Sequence, residues 1–163
     1  MRGLYGLSAA AAVPNRDSSS NVHSGAKRRE PFYFQNSVAI PNPGGSATVM
    51  QFLVPSGKNG YIWKLAIDYV GAGFVEGNGL VTWKIFRDIA LRKAVKGFNN
   101  ILASIGQVSN PVEIPPIQIY ENEWITVVVY NAVTGPVAAG QVSVSAAVGW
   151  FYPKNQEDGQ RWP

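Results

Sequence analysis

Hydrophobic and polar residues alternate in several short stretches of the chain, which is the pattern of a half-buried β-strand. Residues 81–86 show it most simply, because Val81, Trp83 and Ile85 are separated by polar residues. The other stretches with this period are residues 47–54, 61–70 and 141–152. The chain is therefore predicted to form strands. One segment, residues 89–105, is long enough to form a helix, but Gly97 interrupts it and we expect a loop there.

Two of these stretches contain aromatic residues within the alternation, so we expect most aromatic side chains to lie in the core. In residues 61–70 the face predicted to be buried consists of Tyr61, Trp63, Leu65, Ile67 and Tyr69. The opposite face of that strand would carry Lys64, Ala66 and Asp68. In the last stretch Gln141, Ser143 and Ser145 alternate with Val142, Val144, Ala146, Val148, Trp150 and Tyr152.

Residues 124–130, WITVVVY, are β-forming and apolar on both faces. Such a run predicts a central strand that is covered on each side. At an exposed edge the same run would be an aggregation hazard.

Clusters of glycine, proline and asparagine separate the β-rich stretches at the spacing of turns between short strands. Seven or eight strands of this kind predict an all-β fold, a single antiparallel β-sandwich. The connection between residues 86 and 116 is much longer than a hairpin needs. We therefore favour a jelly-roll-like sandwich over a simple meander.

Residues 14–30, PNRDSSSNVHSGAKRRE, contain almost nothing that a core could bury. Because such a segment cannot offset the entropy cost of ordering, we expect a mobile tether. The predicted organisation is a flexible basic N-terminal arm at residues 1–30, a β-sandwich domain at residues 31–155 and a C-terminal tail at residues 156–163. Gly3 and Gly6 interrupt the apolar start of the chain, so we expect a binding arm there and no secretory leader.

The net charge of +4 is concentrated in the arm, where five basic residues face two acidic ones. A basic arm on a nearly neutral domain indicates an acidic partner, although a solubilising leader would have the same composition. The residues expected to bind a partner are Leu4, Tyr5 and Leu7, the cations Arg16, Lys27, Arg28 and Arg29, and Trp162 near the C-terminus.

Residues that could carry chemistry are few. The chain has no cysteine, and its one histidine, His23, lies in the predicted tether. Glu121 and Glu123 could form a carboxylate pair, but acidic residues in a turn before a strand normally just face water. We therefore expect no enzyme, no cofactor and no metal site. No apolar run approaches the ~20 residues of a membrane-spanning helix, so no membrane partner is expected.

A second basic cluster follows the 81–86 stretch and consists of Lys84, Arg87, Arg92, Lys93 and Lys96. Nucleic-acid binding would use such charge for phosphates and nearby aromatic rings for stacking. Five cations fall short of the charge of a dedicated nucleic-acid binder, so we expect a protein or another acidic surface instead.

Two motifs carry a resemblance to a known class of proteins: PSGKNGYIWK at residues 55–64 and PPIQIYENEWITVVVYN at residues 115–131. With them, most of residues 32–153 resembles small β-sandwich structural proteins of tailed-bacteriophage virions. Capsid decoration proteins and the collar or head-fibre proteins near the portal are similar. The resemblance implies a non-enzymatic virion component that forms homo-oligomers, often trimers. Its arm would bind the capsid or the neck of the particle, at the portal or connector.

A carbohydrate-binding or receptor-binding β-sandwich is the alternative function. Such modules often present coplanar aromatic rings, and the chain has five tryptophans and seven tyrosines. The two functions differ in what they need: a virion protein needs its arm, whereas a sugar-binding module needs a solvent-exposed ring.

Overall fold

The computed structural model describes residues 29–70, 81–132 and 141–155. Within these ranges the chain forms strands and no helix, as the alternation predicts. The strands are β1 (Glu30–Ala39), β2 (Ser46–Leu53), β3 (Lys58–Val70), β4 (Val81–Phe86), β5 (Val112–Ile119), β6 (Trp124–Asn131) and β7 (Val142–Pro153).

The strands form two antiparallel sheets that pack face to face as a sandwich. The four-stranded sheet has the order β1-β7-β3-β5 and the three-stranded sheet has the order β2-β6-β4. Each strand lies in the sheet opposite to that of the strand before it. This interlocked order is that of a jelly roll, so the predicted fold class is confirmed.

The long connection between β4 and β5 takes the place of an eighth strand. Its residues 94–101 run beside β4, where Val95 donates to the carbonyl of Ile85 (2.8 Å) and Ile101 to that of Trp83 (2.9 Å). The amides of Trp83 and Ile85 donate back to Ile101 and Phe98. The predicted loop at residues 89–105 is therefore correct in type, and it covers the free edge of β4.

The core lies between the sheets and contains large side chains from β2, β3, β4 and β6. Strand β6 is the central strand of its sheet, as its two apolar faces predict, and Ile125, Val127 and Val129 point inward. Trp83 is 1% exposed and fully in the core. At the side where β1 and β2 meet, the rings of Phe34 and Phe52 stack with centroids 4.2 Å apart.

The predicted faces of β3 are only half right, because the strand contains a bulge. Its register with both neighbours shifts between Ile62 and Lys64. A bulge inserts one extra residue and so reverses the facing of everything on one side of it. Leu65 and Ile67 therefore point into the core as predicted, whereas Tyr61 and Trp63 lie on the outer face of the four-stranded sheet.

Strand β7 alternates as predicted, but its small residues point into the core. Ala147 is part of the core and pairs with Leu65, so the inward face also carries Ser143, Ser145, Gly149 and Phe151. The outward face carries Val142, Val144, Ala146, Val148, Trp150 and Tyr152. The expectation that most aromatic residues fill the core is therefore wrong for Trp150, whereas Tyr152 is buried but on the outer face.

Candidate functional site

Four aromatic side chains lie together on the outer face of the four-stranded sheet. Tyr61 contacts Trp150 and Tyr152, with ring centroids 5.9 Å and 5.8 Å apart, and Trp63 lies 6.1 Å from Trp150. Three of these rings remain partly accessible and Tyr152 is buried beneath its neighbours. We call these four residues the aromatic patch.

The rings of the patch are brought together by the register between β3 and β7 and by the bulge in β3. Tyr61 is the direct cross-strand partner of Trp150, so their side chains stand side by side on one face. The bulge begins directly after Ile62, and it leaves Trp63 on the same outer face as Tyr61. Without the extra residue the strand would alternate regularly, and Tyr61, Trp63 and Leu65 would all point to the same face of the sheet.

Two cations lie against the patch. The guanidinium carbon of Arg29 is 5.1 Å from the centre of the Trp150 ring, and Nζ of Lys64 is 4.4 Å from the centre of the Trp63 ring. Cation–π contacts of this kind are each worth about 0.5–1 kcal/mol at exposed sites. Arg29 directly precedes β1, so the chain enters the sandwich at the edge of the patch.

Another part of this outer face is covered by the chain itself. Ala66 and Ala146 pair with each other on the outer face, and both are fully buried. Tyr33, in β1, donates its hydroxyl to the carbonyl of Val108 (3.0 Å), although β1 and β5 are at opposite edges of the sheet. The loop around Val108 therefore reaches across part of the outer face, as far as β1.

The outer face of the three-stranded sheet is closed by its own side chains. Thr126 and Val128 are almost completely buried there. Gln51 donates to the hydroxyl of Thr126 (3.1 Å), and Lys84 lies over the Tyr130 ring at 4.9 Å. Long polar side chains bury their stems against apolar neighbours and keep their polar ends in water. The side chains of Gln51 and Lys84 therefore cover part of this face.

The second basic cluster is divided between different local roles. Lys84 covers Tyr130, and the guanidinium of Arg87 lies 5.7 Å from the Tyr120 ring. The carboxylate of Asp88 accepts hydrogen bonds from the backbone amides of Arg92 (3.0 Å) and Lys93 (3.3 Å). Asp88 therefore shapes the turn that carries the next two cations.

The two turn glutamates hold the ends of strands together. Glu121 accepts hydrogen bonds from the amide of Gly57 (2.7 Å), the hydroxyl of Ser56 (3.1 Å) and the ammonium of Lys154. The Lys154 ammonium and the Gly57 amide lower the pKa of Glu121 to about 2. Glu123 accepts from the backbone amide of Tyr120 (2.9 Å) within the same turn. Both carboxylates thus stabilise turns.

Of the eight residues predicted to bind a partner, the structure describes Arg29, which lies on Trp150. The remaining predicted residues lie outside the described ranges and are Leu4, Tyr5, Leu7, Arg16, Lys27, Arg28 and Trp162; His23 lies outside them as well. Among the residues that are described, no group of three or more His, Cys, Asp or Glu side chains is placed to hold a metal ion. No helix in this part of the chain has the length and apolarity to cross a membrane.

Sequence reasoning assigned the residues of the aromatic patch to the core. The available signal was the row of small residues in β7, because serine, alanine and glycine at every second position leave room for larger neighbours. Nothing in the alternation itself indicates which face of a strand is buried, and no residue type announces the bulge in β3. The patch could therefore be found only from the packing.

No protein-family model matches the chain, and no curated protein is detectably similar to it in sequence.

Proposed function

We propose that this chain is a non-enzymatic virion structural protein that presents its β-sandwich on a bacteriophage particle. Its basic N-terminal arm attaches it to the capsid or to the portal–connector region of the neck, and its copies form a homo-oligomer. The observation that carries the proposal is the aromatic patch, a cluster of large rings on the outside of the sandwich and beside the start of the domain.

The patch has the composition of a surface that contacts another protein. The solvent-facing side of an antiparallel sheet is normally polar. Protein interfaces are enriched in tyrosine, tryptophan and arginine, and these residues contribute most of the binding energy where they cluster. Tyr61, Trp63 and Trp150 with Arg29 are such a set, and the fold does not need them for its core.

The position of Arg29 connects the patch with the arm. Arg29 lies on Trp150, so residues 1–28 precede a point on the rim of the patch. A partner that binds the basic arm will therefore also be near the aromatic rings. Two attachments on one partner give a higher overall affinity than either gives alone. The jelly roll itself is a frequent architecture of virion proteins, which agrees with the proposal.

Co-sedimentation with purified particles tests this function. The wild-type chain is added to particles that lack it, and bound protein is measured after centrifugation. We expect binding to be lost in a chain without residues 1–28 and weakened at least roughly tenfold by Trp150→Ala, a hot-spot effect. Trp124→Ala is the matched control, because Trp124 is half-buried on the other sheet next to the exposed Leu53. Binding that is unchanged without residues 1–28 would refute attachment through the arm.

Carbohydrate binding is the second candidate, because the same patch presents tryptophan and tyrosine rings on a rigid sheet. Sugars stack on such rings and hydrogen-bond to polar groups at their rim. If this function is correct, a glycan array detects binding by the wild-type chain, Trp63→Ala abolishes the signal, and Trp124→Ala retains it. An array without signal, together with binding to particles, would decide for the structural function.

A further inference from the structure

The four edges of the two sheets differ in how well they are protected. The free side of β4 is covered by residues 94–101, and β2 has a bulge after Thr48. Strand β5 contains Pro115 and Pro116 and lies opposite the β3 bulge. Proline and bulges are the usual means by which proteins prevent edge strands from pairing with other chains.

Strand β1 lacks these features over most of its length. It is ten residues long and pairs with β7 in one continuous register from Glu30 to Ala39. Between Pro31 and Ala39 it carries no charged residue, and Pro31 is its only proline, near the first residue. Long, regular and uncharged edges are the ones that accept a further strand.

The hydrogen-bonding groups on the open side of β1 can be identified from one contact. The amide of Ile40 donates to the carbonyl of Gln141 (3.0 Å), in continuation of the β1–β7 register. Because hydrogen-bonded and non-hydrogen-bonded pairs alternate in an antiparallel ladder, the even-numbered residues of β1 bond to β7. The odd-numbered residues Tyr33, Gln35 and Ser37 therefore direct their N–H and C=O groups away from the sheet.

These open groups are accessible in the described part of the chain. Tyr33 is 51% exposed, and Gln35, Ser37 and Ala39 are also exposed. No backbone hydrogen bond joins the open side of β1 to any other described segment. Pro31 is odd-numbered too, so the one residue without an N–H is placed where β7 does not need a donor.

We propose that the open edge of β1 binds β1 of a second copy of this chain. The two strands pair antiparallel about a two-fold axis, so that two four-stranded sheets become one continuous sheet of eight strands. In this arrangement the outer faces of both sheets lie on the same side. The aromatic patches of the two copies are then presented on one surface.

The charge of the edge favours a second β1 over the basic arm as the occupant. The only acidic residue of β1 is Glu30, at its end, and its carboxylate already pairs with Lys58. A cationic segment would find no acidic side chain along the rest of the strand. A second β1 is itself neutral, has the same length and presents the same alternating groups. The proposal specifies the homo-oligomer of the proposed function, but it does not depend on attachment to a virion.

Cysteine cross-linking of the full-length chain tests the pairing directly, because the natural sequence contains no cysteine. Single variants Tyr33→Cys, Gln35→Cys and Ser37→Cys are oxidised alone and in pairwise mixtures. A disulfide requires Cα atoms about 4.4–6.8 Å apart, so only directly opposed positions react. We expect disulfide-linked dimers only for combinations whose residue numbers add up to one constant, such as 35 with 35 and 33 with 37.

Gln118→Cys is the control, since Gln118 lies on the outer face of the edge strand β5. It should remain monomeric on oxidation. If no combination of β1 cysteines cross-links, or if Gln118→Cys cross-links equally well, the proposal is wrong.

A charge exchange provides the second test. The variant Gln35→Lys with Ser37→Lys places like charges on both copies of the edge, which should raise the dimer dissociation constant roughly tenfold. A variant with glutamate at both positions should dimerise as poorly, and an equimolar mixture of the two should restore the dimer. Light scattering and native mass spectrometry measure the oligomer.

Near-ultraviolet circular dichroism checks that each variant is folded, and Gln118→Lys should dimerise like the wild type. A wild-type chain that is monomeric at all concentrations would overturn the proposal. So would a dimer that persists in the lysine variant. Loss of particle binding with an intact β1 dimer would instead contradict only the virion attachment.

Discussion

Two inner strands of the sandwich, β6 and β7, direct side chains of opposite size into the core. Strand β6 points Ile125 and Val127 into the core, whereas β7 points Ser143 and Gly149 into it and large residues outward. Both strands alternate, and both are buried in the middle of a sheet. The difference shows that alternation divides a strand into two faces, but the neighbours decide which face is buried.

The neighbours of β7 are large aromatic residues that need its small side chains. A Cβ atom at Gly149 would lie 2.4 Å from the Phe32 ring, and Ser143 accepts a hydrogen bond from Nε1 of Trp83 (2.8 Å). Close packing requires that large groups on one strand meet small groups on the other. Apart from Phe151, the large residues of β7 are therefore directed outward, and this is how the aromatic patch arises.

The largest expected effect comes from adding one carbon to the inward face of β7. Gly149→Ala would place Cβ 2.0 Å from the carbonyl oxygen of Tyr61, which is a backbone atom and cannot simply rotate away. We expect the free energy of unfolding to fall by about 3 kcal/mol or more, from overpacking and the shift of β3. Guanidinium unfolding monitored by fluorescence measures this change.

Gly57→Ala is the control for this substitution. Gly57 has a φ of +76° but no atom near the position of a Cβ, so the cost should be only the strain of about 1 kcal/mol. If the two substitutions lowered the free energy of unfolding equally, the lack of room for a Cβ atom on the inward face of β7 would not explain the effect at Gly149. The inward face of β7 would then not need small residues, and the contrast with β6 would be refuted.

Two valines on the central strands provide the next comparison. Val127 in β6 is 1% exposed and points inward, whereas Val144 in β7 points outward and is only partly buried. Val127→Ala should lower the free energy of unfolding by about 2 kcal/mol, through lost burial and a cavity. Val144→Ala should cost less than about 1 kcal/mol. The reverse order in urea unfolding would show that the assigned faces are wrong.

The sequence was sufficient to predict the fold class, because strand period, turn residues and two apolar faces are local properties. The two apolar faces of residues 124–130 are sufficient to predict the central strand β6. The orientation of β7 could not be predicted in this way, since its faces differ only in size and either could be covered. The bulge after Ile62 is a property of the pairing of three strands and has no signature in β3 alone.

For the candidate site too, local properties could be predicted from the sequence, whereas properties that depend on strand pairing could not. A basic arm is visible in composition, and Arg29 is predicted to bind a partner from its charge alone, whereas its contact with Trp150 is not predicted. The aromatic patch needs the register that aligns Tyr61 with Trp150, and the open edge of β1 needs the strand order. Both are long-range results of packing, which explains why neither could be derived from periodicity.

A smaller effect is expected from the hydrogen bond between the small face of β7 and the core. Ser143→Ala would leave the indole N–H of the buried Trp83 without its acceptor, which costs about 1–2 kcal/mol. Ser145→Ala removes a donor to the carbonyl of Ala66 and should cost about 0.5–1 kcal/mol, because no buried N–H is left unpaired. Thermal unfolding of the two variants distinguishes them. If Ser143→Ala is the milder change, the bond to Trp83 is not what keeps this face inward.

The smallest effect concerns the link between the ends of β6 and β7. Glu121 lies in the turn before β6 and pairs with Lys154, directly after β7. Its pKa is lowered to about 2 in the folded chain, from an ordinary value of 4.5. A carboxylate with a lowered pKa stabilises the fold above its ordinary pKa, and this contribution disappears as the pH falls from there towards about 2.

Glu121→Gln should therefore lower the Tm at pH 7, and the difference from the wild type should shrink between about pH 5 and pH 2. Lys154→Met should reduce this pH dependence without abolishing it, because the amide of Gly57 still donates to Glu121. Circular-dichroism melting curves at a series of pH values measure both effects. Parallel curves for Glu121→Gln and the wild type over that range would show that the charge of Glu121 does not hold β6 to β7, and that the two strands are joined through the core alone.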